Sequence, residues 1–228
     1  MKCLVANGER GITRLEVIIL IVVFAGFGFL VVSALSGAKD MANGIACVNN
    51  LKYVGLGLRT FNTDNGGRFP MEVSVADGGT REWMKDETQL WRHWRRITNE
   101  LGSPKVLLCP SDRRRQPSFF GPQSLTWGDF TDNSHLSYFL GLGASQVDSV
   151  SIISGDRNLM TNGVAAGPGR LLLSTNMVLG FSESEIHKGY GQLLRGDGGV
   201  DQLNAKTLDP AWFAAQTNSN VTKVWLIP

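Results

Sequence analysis

From Val17 to Ala38 the chain runs for 22 residues without a formal charge. At about 1.5 Å of rise per residue, a helix of that length reaches roughly 33 Å, enough to cross the hydrocarbon core of a bilayer. Beyond Ala38 the pattern turns amphipathic without a break. Cys47, Leu51, Val54, Leu58 and Phe61 fall at spacings of 4, 3, 4 and 3, one stripe of a helix. The pattern therefore predicts a single long helix, apolar all round in its first half and apolar on one face in its second. Asn65-Gly66-Gly67 stops it and Pro70 secures the stop. Gly26, Gly28, Gly37 and Gly44 are places where this helix can bend or let a neighbour approach.

A second stripe, Leu90, Trp94, Ile97 and Leu101, predicts a shorter helix ended by Gly102 and Pro104. Residues 71–87, with Asp77-Gly78-Gly79, read as a loop, and Ser111 to Ser134 as turn-like. Lys105 to Cys109 reads as a short buried strand. Further strands are expected at Leu136 to Leu140, Ser149 to Ser154, Leu171 to Leu173, Gln192 to Arg195 and Val200 to Leu203. The last two flank Gly196-Asp197-Gly198-Gly199, a hairpin signal. Pro210 to Gln216 reads as a short helix and Val221 to Ile227 as a final strand. The fold class that follows is α+β, a long N-terminal helix packed on an antiparallel sheet.

Glu16 stands on the first turn of the apolar helix. An unpaired carboxylate in hydrocarbon costs about 2.5 kcal/mol or more, so this one needs a partner or a place at headgroup level beside Arg14. Ahead of it come a polar leader ending in Arg10-Gly11 and then Ile12-Thr13-Arg14-Leu15. Basic leader, Gly, apolar residue, Thr, two residues, Glu and a long apolar helix together resemble the type IV prepilin signal, found in pilins and type II secretion pseudopilins. The resemblance implies that a prepilin peptidase cuts between Gly11 and Ile12, that Ile12 becomes an N-methylated first residue, and that the helix stays on the protein. It further implies that Glu16 pairs with the amine of a neighbouring pilin-like subunit during filament assembly. Two residues depart from the usual pattern: Ile12, where Phe is commonest, and Arg14, where an apolar residue is usual.

On this reading residues 1–11 are the leader peptide, 12–38 the transmembrane and assembly helix, 39–67 its exposed continuation, and 68–228 an extracytoplasmic α+β domain of pilin-like fold. The competing account is an ordinary secretory signal peptide, cut after the small-x-small Ser36-Gly37-Ala38, although its apolar core would exceed the usual 7–15 residues. Lys2, Arg10 and Arg14 precede the span and only Lys39 follows closely, which favours an N-terminus in the cytoplasm. The expected location is the inner membrane, single-pass, with the C-terminal domain in the periplasm or outside the cell.

The run Cys47-Val48-Asn49-Asn50-Leu51-Lys52, then Gly55-Leu56, Asp64-Asn65 and Arg68-Phe69-Pro70, is similar to pseudopilin-like proteins that some bacteria encode in many copies. Patchier similarity continues at Pro104-Lys105-Val106, Cys109-Pro110-Ser111-Asp112, Ser137-Tyr138-Phe139, Gly155-Asp156-Arg157-Asn158 and His187 through Asp201. Major pseudopilins of this kind often hold calcium near the C-terminus. Asp197 and Asp201, flanking a Gly-rich turn, are the candidates for it, against the plain alternative of a turn stabilised by its own aspartate.

With Cys3 in the leader, Cys47 and Cys109 remain as a pair in an oxidising compartment, so they are expected to form a disulfide, the alternative being two buried thiols. Net charge is +2, falling to +1 once Lys2, Glu9 and Arg10 leave with the leader, so no nucleic-acid partner is expected. Arg92, Arg95, Arg96 and Arg113-Arg114-Arg115, with Trp91 nearby, read as a solvated face in preference to a polymer-binding patch. His93, His135 and His187 are scattered, and no zinc-protease signature or nucleophile elbow occurs. No enzymatic activity is expected. The function implied is that of a structural subunit or accessory component of a type II secretion pseudopilus or type IV pilus-like filament, the alternative being a membrane-anchored module that binds an envelope polymer.

Overall fold

The structure, a computed structural model, describes residues 12–120, 129–144, 151–174, 177–204 and 224–228. Helix α1 (Arg14–Asp64) runs for 51 residues. The chain divides into two compact units, one up to Met41 and one from Ala42 to Pro228. In the first, large apolar side chains such as Phe24, Phe29 and Val32 are exposed. By length and composition α1 is a helix able to cross a membrane.

Within the second unit the expected stripe is the buried face of α1: Cys47, Leu51, Val54, Leu58 and Phe61 are all at most 5% exposed. Burying each such side chain contributes about 1.5–3 kcal/mol, which is what keeps this part of the helix in place. Its end follows the sequence signal. The Gly67 N–H donates to Asn62 O (2.8 Å), with Gly66 and Gly67 at φ +66° and +82°, a left-handed backbone that glycine adopts without strain.

The second predicted helix forms in two pieces, α2 (Leu90–Arg96) and α3 (Thr98–Leu101), broken at Ile97. Leu90, Trp94 and Ile97 are nevertheless fully buried, so the stripe faces the core across the break. The expected strand at Lys105 to Cys109 is a 3₁₀ turn instead, Pro104–Leu107. Pro104 fixes φ at its first position and Ser103 Oγ accepts the Lys105 N–H, which together start a helical turn where the apolar run alone reads as a strand. The expected loop at residues 71–87 contains a 3₁₀ helix, Arg81–Lys85.

Six strands form the main sheet: β1 (Tyr138–Leu142), β2 (Ile152–Asp156), β5 (Gly169–Leu172), β7 (Tyr190–Arg195), β8 (Val200–Asn204) and β9 (Val224–Ile227). Their order is β5-β9-β1-β2-β7-β8, and every neighbouring pair is antiparallel. The hairpin expected at Gly196 to Gly199 joins β7 and β8, with Leu194 opposite Val200. The expected helix at Pro210 to Gln216 lies outside the described residues.

Alternation along the strands separates two cores. Tyr138, Leu140, Ile153, Leu194 and Leu226 join the stripe of α1. Phe139, Ile152, Leu193, Trp225 and Ile227 turn the other way, against a second sheet that the sequence pattern does not reveal. That sheet has the order β4-β3-β6, made of β3 (Leu159–Thr161), β4 (Val164–Ala165) and β6 (Leu179–Phe181). Its Phe181 ring lies against Gly191 of β7, where a Cβ would overlap the ring. The second unit is thus α+β, in three layers of helix, six-stranded sheet and small sheet.

Candidate functional site

Gly11 lies outside the described residues; Ile12 is exposed. Glu16 is also exposed and has a partner in its own chain. Its Oε2 accepts from the Thr13 N–H (2.7 Å) and from Thr13 Oγ1 (3.0 Å), while the Glu16 N–H donates to Thr13 Oγ1 (3.3 Å). This is a capping box, which satisfies amides left free at the start of α1. The T-x-x-E spelling carries the signal, and the expectation of a partner in another subunit obscured it.

Asp197 and Asp201 share one cation of the chain's own. Arg195 Nε lies 3.3 Å from Asp197 Oδ1 and its Nη1 lies 3.5 Å from Asp201 Oδ2. Asp197 Oδ1 also accepts the Gly199 N–H (2.8 Å), and its backbone carbonyl accepts from Arg59 (2.8 Å). A calcium site needs six to eight oxygens with uncompensated charge. Here the Arg195 guanidinium lies beside both carboxylates, and Asp197 Oδ1 stabilises the turn by accepting the Gly199 N–H. The arginines of α2 are likewise engaged within the fold: Arg92 lies over the Trp83 and Trp91 rings (5.3 and 5.0 Å), Arg95 over Trp91 (5.5 Å), and Arg96 bonds to Gly78 O.

Cys47 and Cys109 are brought to bonding distance, their Cα atoms 5.1 Å apart, within the range a disulfide spans. The Leu108 carbonyl accepts from the Asn50 side chain one turn along α1 (3.1 Å), fixing the approach of the second cysteine. Around this bridge the fold assembles groups that lie far apart in sequence. His187, from the segment between β6 and β7, places Nε2 3.3 Å from Cys109 Sγ. Asp156, the last residue of β2, is fully buried with Oδ2 3.6 Å from the same His187 Nε2. Asp156 Oδ2 accepts the Gln192 N–H (2.8 Å), whereas its Oδ1 and both side-chain polar atoms of Gln192 have no hydrogen-bond partner among the described residues.

Burial decides the charge state of this cluster. It pushes the Asp156 carboxyl up to about 8, against the pull of the Gln192 amide, and it lowers His187 below the ordinary imidazole value. At neutral pH, therefore, Asp156 is protonated and His187 neutral. The 3.6 Å contact is a neutral one and not an ion pair. Among the histidines, His93 is also buried, held to Thr80 Oγ1 at 2.7 Å and lowered to about 4 by desolvation.

Beside the cluster lies a true ion-pair network. Arg157 grips Asp112 in bidentate fashion (2.8 and 3.0 Å) and reaches Glu185 (2.9 Å). Ser137 Oγ donates to Asp112 (2.8 Å) and accepts the Cys109 N–H (3.0 Å), linking network and bridge. Arg114, from the triple-arginine run, spends its guanidinium on the carbonyls of Asn133, Leu136 and Pro228.

A pH dependence follows from Asp156. Its folded value lies above the unfolded one, so the folded state holds the proton more tightly and stability falls as pH rises between the two. His93 and His187 are depressed, and their contribution is complete above about pH 6.5. Between pH 6.5 and 8 the Asp156 term is left, with a slope that starts at about −1.4 kcal/mol per pH unit and halves as pH reaches the folded value. Asp156→Asn should flatten that slope. Urea unfolding of the chain and the variant at both pH values measures it, and parallel slopes would refute the assignment.

Comparison with known protein families, curated proteins and solved structures finds no match to this chain.

Proposed function

We propose that the chain is a prepilin-like structural subunit or accessory component of a type II secretion pseudopilus or type IV pilus-like filament, processed by a prepilin peptidase after Gly11. The observation that carries the reading is the start of α1. The one acid in the apolar stretch, Glu16, sits on its first turn five residues beyond Gly11, on a helix that continues without interruption from exposed apolar residues into a folded domain. A discarded signal peptide has no use for that continuity. In the membrane the Thr13 amide and hydroxyl partner the Glu16 carboxylate. In the filament the amine of a neighbouring Ile12 replaces them, and burial of helix against helix holds the subunits together. The arginine and tryptophan surface on α2 does not favour a polymer-binding module, because its cations already stack on the fold's own rings.

Glu16→Gln tests this directly. Glutamine preserves the capping box, which accepts Glu or Gln, and removes only the charge. The variant should insert and be processed, and mass spectrometry should find both chains beginning at Ile12 with an added methyl group. Subunit cross-linking in cells should then fall to background for the variant alone. Cross-linking equal to the wild type would sink the charge-pairing mechanism, and a mature chain beginning at Lys39 would sink the filament reading altogether.

A further inference from the structure

The bridge, His187 and Asp156 form a donor set that a disulfide alone does not explain. A disulfide has no need of an imidazole nitrogen 3.3 Å from one sulfur, nor of a fully buried carboxyl group beside that nitrogen whose other oxygen has no hydrogen-bond partner among the described residues. The sulfurs of Cys47 and Cys109 and a ring nitrogen of His187 lie within 4.8 Å of one another. In a tetrahedral zinc site, bond lengths of about 2.0–2.3 Å set neighbouring donors roughly 3.4–3.8 Å apart. The Cys109 to His187 and His187 to Asp156 separations, 3.3 and 3.6 Å, are close to that spacing.

Asp156 also stands on the informative side of the ring. A carboxylate that merely orients a metal-bound histidine sits at the nitrogen away from the metal. Asp156 faces Nε2, the nitrogen turned to the sulfurs. It thus stands on the ion's side of the ring, outside the 4.8 Å cluster of the two sulfurs and the ring nitrogen, and completes the shell by moving toward them.

We propose that in the dithiol form of the chain Cys47, Cys109 and His187, with Asp156 as fourth ligand, bind a zinc-class divalent cation, so that metal and disulfide are mutually exclusive states of one site. The sulfurs part to about 3.8 Å by turning about their Cα–Cβ bonds. Capture of the ion releases the two thiol protons and the proton of the Asp156 carboxyl, which that group takes back when the ion leaves. Oxidation by a disulfide donor reverses it: the two thiolates lose two electrons to form the Cys47–Cys109 bond, the donor takes those electrons and two protons to become two thiols, and the ion departs. Both sulfurs are fully buried whereas the His187 side chain is 7% exposed, so the ion enters past the imidazole. The site is independent of the filament reading.

The test uses the full chain in detergent, reduced with a phosphine under anaerobic conditions and titrated with Co²⁺ as a spectroscopic stand-in for zinc. One equivalent should bind, with thiolate charge-transfer absorption and the visible bands of a tetrahedral ion, and Zn²⁺ should displace it. The oxidised chain should bind none, and adding a disulfide donor to the loaded chain should release the metal. His187→Ala, which retains both cysteines, should weaken binding by at least about 10-fold, and Asp156→Asn should alter the visible bands. Binding by His187→Ala as tight as wild type would overturn the site. So would a reduced chain that takes up no cobalt, whether folded or unfolded, because metal bound at such a site adds directly to folding free energy.

Discussion

Replacing Cys47 and Cys109 together with serine should lower the unfolding free energy of the domain by about 4 kcal/mol. The bond spans a sequence separation of 62 residues, and the loop-closure model assigns about that much to a ring of this size, through the entropy withheld from the unfolded chain. The buried cluster to which both cysteines belong survives in part, so the fold persists with a lower midpoint. With a denaturant slope of about 2 kcal/mol/M, urea unfolding followed by tryptophan fluorescence should shift by roughly 2 M. Trp94 and Trp225 are buried reporters in separate cores, so the two should respond together. A shift of only a few tenths molar would mean that the bridge contributes little.

Asp112→Ala should cost about 3–5 kcal/mol, the amount lost when one partner of a buried ion pair is removed and the other is stranded. The Asp112 side chain is 1% exposed and Arg157 17%, so water cannot replace the missing carboxylate. Three further donations end with it, from Ser137 Oγ, from the Arg114 N–H and from the second arm of Arg157. Burial alone would raise the Asp112 carboxyl; the hydrogen bonds and charge of Arg157 outweigh it and hold the group below its usual value. The stability it supplies is therefore complete above the unfolded carboxylate range and is lost as pH falls through the depressed folded value. Asp112→Asn keeps the shape without the charge and should fall between wild type and Ala. Chemical unfolding of the three chains at neutral pH checks the order, and an alanine variant within about 1 kcal/mol of wild type would show that Glu185 alone suffices for Arg157.

Periodicity made the large elements legible. The stripe from Cys47 to Phe61 and the hairpin around Gly196 to Gly199 are strong patterns whose burial the fold could satisfy in one way only. At Lys105 to Cys109 the same reasoning misled, since an apolar run of five does not distinguish a strand from a 3₁₀ turn and the Ser103-Pro104 start decided it. The small sheet escaped because its strands are two or three residues long, below the length at which alternation can be read. In the site, the cysteine pair was legible from parity and compartment. His187 and Asp156 were not: they stand 31 residues apart, and only the antiparallel pairing of β2 with β7, which starts just after His187, brings them to one point. Their separate runs, Gly155-Asp156-Arg157-Asn158 and His187 through Asp201, were visible as patches without any hint that they touch.

The bridge also sets how the protein carries load. Tension arriving along α1 reaches Cys47 and passes through a covalent bond to Cys109, then along the backbone into the sheet. Everything between the two cysteines, including the end of α1, both short helices and their 3₁₀ turns, hangs as a side loop off that path. At about 3.5 Å per extended residue, roughly 200 Å of chain is barred from paying out under force. An oxidised chain pulled from its helix would therefore pay out nothing between Cys47 and Cys109, whereas a reduced one could unravel through that segment too.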